Sequence, residues 1–206
     1  MSQTRDLLTL TQWLSPGFPI GSFAYSHGLE TAIAKEDVRD TQSLKIWLSD
    51  ILQFGSGAVD ATLLCLTIRG EDVADEAIAL AASKERLEET LSQGQAFAKL
   101  TDVNAPRPIA LPIAVGHAAR SLDLPPTDIA ALYLQTMMSN LVTIAVRAIP
   151  LGQSAGQAVL ADLAPLISQI ASNAVSCDLD DIGSAAFRGD IASMVHETQE
   201  IRLFKT

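Results

Sequence analysis

The 206-residue sequence predicts an all-α fold, a single-domain bundle of about eight to ten helices. Three observations carry that prediction. Apolar residues recur at helical spacing along most of the chain, strict alternation of apolar and polar residues over strand length is missing, and Gly or Pro punctuates the joints between periodic segments. A chain of this size buries roughly 70% of its unfolded surface. With hydrophobic residues at 48% and charged residues at 18%, its core is sizeable. No internal repeat is visible. The run NAPRPIALP at 104 to 112 is where a domain boundary would fall, but both flanking halves are too irregular and too apolar to stand alone, so one domain is expected.

The first helix places Leu7, Leu10 and Leu14 on one face and stops at Ser15-Pro16. Residues 15 to 30, SPGFPIGSFAYSHGLE, follow. Four of the ten aromatic residues, Trp13, Phe18, Phe23 and Tyr25, fall within thirteen positions, on backbone that Pro16, Gly17, Pro19 and Gly21 keep out of regular helix. A loop this apolar must be covered, either by the chain's own core or by another protein. A second helix begins near Tyr25 and runs to about Lys35. Asp40 or Thr41 caps a third, with Leu44, Trp47, Leu48, Ile51 and Leu52 as its face. The Gly55-Ser56-Gly57 step separates it from a fourth through Leu63, Leu64 and Ile68, which Arg69-Gly70 ends.

Residues 71 to 82 predict a short alanine-rich helix. Residues 84 to 100 carry Lys84, Glu85, Arg86, Glu88 and Glu89 around Leu87 and Leu91, the pattern of a solvated helix. After the proline-rich break, residues 113 to 122 resume as helix until Leu124-Pro125-Pro126. The longest helix begins after Pro126, with Thr127 or Asp128 as cap, and continues to about Ala148. Its uncharged stretch from Ile129 to Val146 approaches a membrane span, but Thr136, Asn140, Thr143 and Arg147 share one face, which predicts a buried helix with a polar seam. The last long helix covers about Ser154 to Val175, with a kink at Pro165. Asp178, Asp180 and Asp181 close it off as caps rather than as a cation site. Asp190 then caps a short helix through Ile191, Met194 and Val195, and the tail EIRLFKT mixes Ile201, Leu203 and Phe204 with Arg202 and Lys205.

Composition excludes several functions. The formal charge of −10, from 24 acidic and 14 basic residues without a clustered basic stripe, repels phosphate backbones and argues against nucleic-acid binding. The N-terminus lacks a basic region and a small-residue cleavage site, which predicts a cytoplasmic protein. Cys65 and Cys177 are far apart without CxxC spacing, so inert core thiols are expected rather than a disulfide framework or a zinc site. No phosphate-binding glycine loop and no nucleophile elbow occurs.

The three histidines are the candidates for chemistry. His27 with Glu30, and His196 with Glu200, have the spacing of two-ligand helical pairs, but a catalytic zinc site generally takes three protein ligands. The alternative to a binding protein is therefore a small helical metalloenzyme using His27, Glu30 and His196. His117, between Gly116 and two alanines, reads as a packed helix residue. Arg147 ends the longest helix, where it either compensates the helix dipole or pins the turn Pro150-Leu151-Gly152-Gln153 or a partner's carboxylate. The tail carries an apolar trio with a local charge of opposite sign to the chain, and such a tail frays unless it docks, on a partner or on its own domain.

Three motifs stand in order along the chain. The first is Ser15, Pro16, Pro19, Gly21, Tyr25, Ser26, Gly28, Leu29 and Glu30. The second is Arg147, Pro150, Leu151, Gly152 and Gln153, with Gln157 beyond. The third is His196, Glu197, Thr198, Gln199, Arg202, Leu203 and Phe204. Together they resemble the urease accessory protein UreF family. The resemblance runs from about Leu7 to Phe204, with Glu200-Ile201 and Lys205 as departures in the tail; the lysine lacks the planar fork of arginine. It implies an all-helical, cytoplasmic, non-catalytic chaperone without a cofactor. Such a chaperone dimerises, joins UreD (UreH in some systems) to the GTPase UreG, and supports nickel insertion into apo-urease, with nickel-cation binding as an associated property. It also implies a partner-binding set: Tyr25, His27, Gly28 and Glu30, then Arg147, Gly152 and Gln153, then His196, Glu197, Arg202, Leu203 and Phe204, with residues 196 to 206 as the docking tail.

Overall fold

The computed structural model describes residues 3–105 and 107–205; Pro106 of the proline-rich run and the two termini lie outside the described residues. Among those residues the chain is all-α, with ten α-helices and two short 3-10 turns. The helices are α1 Gln3–Trp13, α2 Leu29–Ala34, α3 Thr41–Phe54, α4 Ser56–Arg69, α5 Ala74–Ala79, α6 Lys84–Leu100, α7 Leu111–Ala119, α8 Pro126–Ala148, α9 Gln153–Ser176 and α10 Phe187–His196. The 3-10 turns are Ser22–Ala24 and Leu179–Asp181.

Helix α4 is the middle of the bundle. It packs against α3, α7, α8 and α9, and every residue from 59 to 67 is buried, as expected of a helix surrounded on all sides. Helices α8 and α9 pack along each other, and one apolar cluster runs from Leu10 to Ala192. Three helical stretches are long and apolar enough to cross a membrane, Thr41–Arg69, Pro126–Ala148 and Gln153–Ser176, and their most apolar windows are 72%, 50% and 39% buried against the rest of the protein.

Local chemistry explains the boundaries. Asp40 caps α3: its carboxylate accepts the Ser43 amide proton at 2.8 Å while the Ser43 hydroxyl accepts the Asp40 amide proton at 3.1 Å. Those Ser43 hydrogen bonds hold the Asp40 carboxyl below its ordinary range. Asp178 caps the turn Leu179–Asp181 in a box with Asp181, so the acidic cluster does cap, as expected. Pro165 lies inside α9, and the helix continues through it.

Several expectations are corrected. Leu10 is buried but Leu7 is 45% exposed, so α1 presents only part of its apolar face inward. Tyr25 precedes α2 instead of starting it, because left-handed backbone at His27 and Gly28 delays the helix to Leu29. Pro126 occupies the first turn of α8 and Pro125 precedes it, one or two residues earlier than a Thr127 or Asp128 cap; proline's fixed φ suits that position. On α8, Thr143 and Arg147 are exposed, and Thr136 donates to the Leu14 carbonyl at 3.1 Å, so the polar seam is only partly covered. Cys65 is buried, and burial pushes its thiol up to about 11, whereas Cys177 is only half-buried. His117 is exposed, not packed. Asp190 lies within α10, which Ala186 precedes, and the helix buries Ala192, Ser193 and His196 while Ile191, Met194 and Val195 face outward.

The largest correction is α6. It is not solvated: Glu85, Glu89, Thr90 and Gln93 are buried, and the Arg86 side chain is 12% exposed. Gly94 allows this, because a Cβ there would meet the Ile109 carbonyl and the Ala110–Leu111 peptide, so only glycine lets the segment leading into α7 cross the helix.

Candidate functional site

The aromatic loop is covered mainly by the chain's own core. Trp13 meets Phe97 edge-on with centroids 5.9 Å apart, and Phe18 meets the same ring at 5.6 Å, while Phe23 remains 61% exposed. The loop then turns sharply. His27 has φ 53° and Gly28 φ 74°, and a Cβ at Gly28 would lie 2.7 Å from the Ser193 amide nitrogen. This glycine is demanded twice, by its left-handed backbone and by the close approach of α10.

That approach brings the first and third motifs together. Glu30, on the first turn of α2, grips the tail with both carboxylate oxygens: Oε1 accepts the Leu203 amide proton at 2.8 Å and Oε2 the Phe204 amide proton at 3.0 Å. His196 ends α10 with its ring wholly buried, Nε2 3.1 Å from Glu30 Oε2 and Nδ1 2.7 Å from Glu85 Oε2 on α6. Arg202 Nη1 donates to the other Glu85 oxygen at 2.6 Å. The Lys205 amide donates to the Ala24 carbonyl at 2.7 Å, and its ammonium lies 5.6 Å from the Tyr25 ring centroid. Glu197 accepts the Lys84 amide proton at 2.9 Å and so helps to cap α6. The tail thus folds back through its backbone and Phe204, while Ile201 and Leu203 stand 81% and 78% exposed.

A second buried network adjoins the first through α6. His27 Nε2 lies 2.9 Å from Glu89 Oε1, which also accepts from Gln93 at 2.9 Å. Arg86 bridges Glu89 at 3.2 Å and Asp60 of α4 at 2.8 Å, and the Tyr133 hydroxyl donates to Asp60 at 2.8 Å. Burial pushes the Asp60 carboxyl up and outweighs the Arg86 charge; at Glu89 burial pushes the same way, but His27 and Arg86 together hold it below the ordinary range. Burial, with Asp60 beside it, raises the Tyr133 hydroxyl well above its usual value. Two cavities of about 50 Å³ border this network and share His27, Asp60 and Arg86 in their walls. Each has room for a few waters.

The UreF family model matches residues 38–164. A urease accessory protein UreF from Cereibacter sphaeroides strain KD131 is 55% identical over 97% of this chain and 98% of its own length. The chain belongs to the UreF family. A UreF of Roseobacter denitrificans is 47% identical over 98% of this chain and 95% of its own length, and one of Dinoroseobacter shibae 45% over 97% and 98%.

Within this UreF-family chain the expected site residues separate into groups. Tyr25, His27, Gly28 and Glu30 converge with His196, Glu197, Arg202, Leu203 and Phe204 around α6. Arg147, Gly152 and Gln153 are exposed at the α8–α9 turn, and the Arg147 guanidinium makes no hydrogen bond or ion pair among the described residues. The two candidate ligand pairs, set aside on spacing alone, do not form: His27 faces Glu89 instead of Glu30, and His196 faces Glu30 and Glu85 instead of Glu200. Among the described residues no group of three His, Cys, Asp or Glu side chains is placed to hold a metal ion. Sequence reasoning missed Glu85, Arg86, Glu89 and Asp60. Glu85, Glu89 and Gln93 recur every fourth residue, on the stripe that continues to Phe97, and that shared face was the available signal.

Proposed function

We propose that this protein is a non-catalytic, cytoplasmic chaperone scaffold of urease maturation. It dimerises, docks UreD/UreH through its C-terminal tail, and recruits the GTPase UreG for GTP-dependent insertion of nickel, as cargo, into apo-urease. Membership of the UreF family supports the setting, and one geometric observation supports the docking role. Ile201 and Leu203 project into solvent from backbone that Glu30, Arg202 and Lys205 hold in place. Two apolar side chains on a fixed support lose little freedom when a partner covers them, and burying each contributes roughly 1.5–3 kcal/mol.

Glu30, Gly28 and Tyr25 are buried in the protomer, as is His196, so their part in partner binding runs through the shape of the tail. Arg147 and Gln153, exposed on a separate turn, form a second contact region in this reading. The test is capture of UreD/UreH by an Ile201→Ser, Leu203→Ser double variant. These side chains touch solvent, so circular dichroism should match the parent while capture falls. Truncation from residue 196 is a poorer test because it removes a buried histidine. Undiminished capture by the double variant would reject the docking role.

A further inference from the structure

We infer that His196 is a positioning residue for the tail: donating from both ring nitrogens, it holds Glu30 in the place where that carboxylate grips the Leu203 and Phe204 backbone, so tail presentation depends on a proton. The inference rests on the docking reading for its biological meaning, but its geometry stands by itself.

Both ring nitrogens of His196 face carboxylate oxygens, 2.7 Å to Glu85 and 3.1 Å to Glu30, and the ring is fully buried. Two such contacts are both hydrogen bonds only with one proton more than a neutral imidazole supplies. The other groups meeting the carboxylates decide where it resides. Glu30 also accepts the Leu203 and Phe204 amide protons, and Glu85 also accepts from the Arg202 guanidinium. Both acids are thus already engaged as acceptors, and the geometry leaves the two ring nitrogens as the donors of the remaining contacts.

The charged groups around the ring come from separate elements: Glu30 from α2, Glu85 from α6, and Arg202 from the tail, one contact away through Glu85. On α10's own side, Glu197 turns to the Lys84 amide, and Arg188 pairs with Asp37 at 3.2 Å at the opposite end of the helix. Among the described residues no charged group of α3 bonds the ring. When the extra proton leaves, the longer contact is the one to lose it. Nε2 then presents a lone pair to Glu30 in a site closed to water, and the two repel. Among the described residues Glu30 is also the sole side chain gripping the Leu203 and Phe204 amides, so the tail loosens with it. Low pH keeps the tail held, and rising pH frees it.

Hydrogen exchange of the Leu203 and Phe204 amides in the full chain reads this grip directly. Protection factors, corrected for intrinsic exchange, are compared at about pH 6 and about pH 8.5. Protection should fall by roughly tenfold or more at the higher pH, while α4 amides stay protected. His196→Gln should show low protection at both values with the pH dependence gone. Nitrogen NMR of the ring in the unmodified protein should find both nitrogens protonated wherever the tail amides are protected, a readout that stands even when the variant does not fold. A neutral ring beneath protected tail amides, or equal protection at the two pH values, would overturn the inference. Partner capture is not measured here, so failure of the docking reading would be seen separately, in the Ile201→Ser, Leu203→Ser variant.

Discussion

At Arg86 one side chain stands between two buried carboxylates, and its removal strips Asp60 of its ion-pair partner and leaves Glu89 to His27 and Gln93. Stranding a buried charge typically costs about 3–5 kcal/mol. Arg86→Ala should therefore lower the urea midpoint and the thermal midpoint by amounts of that order, and Arg86→Lys should restore only part, because one ammonium cannot span both acids as a planar fork does. At Gly28, alanine meets both the left-handed backbone and the Ser193 amide. Gly28→Ala should destabilise the protein by about 1–3 kcal/mol and raise exchange in α10 and the tail together. These demands differ in how far they show in a sequence. The glycine sits in a recognisable motif, although a helix expected from Tyr25 passes over the turn it makes. Arg86 sits in a run of charges, and nothing local distinguishes a solvated arginine from one held between acids contributed by α4 and its own helix.

At the scale of elements, the boundaries of α3 and α4 were legible, because a cap at Asp40 and a break at Gly55 are local chemistry written over three or four residues. Helix α6 keeps its expected span, residues 84 to 100, but which face α6 and α10 bury was not legible. Both invert the usual pattern: α6 buries acids, and α10 buries Ala192, Ser193 and His196 while exposing Phe187, Ile191 and Met194. An amphipathic reading assigns the apolar face to the core, and it fails where a neighbour needs close approach, as Gly28 does, or supplies hydrogen bonds, as Glu30 does. Helix α6 also carries the tightest backbone crossing. Gly94→Ala should destabilise at least as much as Gly28→Ala, since the obstruction is the Ile109 carbonyl and the following peptide, which cannot rotate away. Thermal denaturation of the two variants side by side checks the ordering.

For the whole molecule, the coupling of α6 to α2, α4, α10 and the tail sets a pH dependence. Glu89 is held below its ordinary range in the folded state, so its contribution is fully present above the unfolded carboxylate range and is lost as pH falls through the lowered folded value. Asp60 is raised by burial, so its contribution has the opposite sign, present below the unfolded value and lost as pH rises through the folded one. Urea titrations across the acid range should show Glu89→Gln with a shallower acid loss than the parent, and Asp60→Asn with a steeper one. The all-α class and most helices could be read from apolar periodicity, and the three motifs were visible as motifs. Their meeting around α6 was not visible, because Glu30 and His196 are brought together by tertiary packing with no local signature.

The central claim is that a tail held by its own protomer offers Ile201 and Leu203 to a partner. The most direct measurement is UreD/UreH binding to the unmodified protein and to the Ile201→Ser, Leu203→Ser variant at matched fold and oligomeric state. The account predicts a loss of at least tenfold in affinity, the equivalent of about 1.4 kcal/mol. Equal affinity in the two proteins would contradict it.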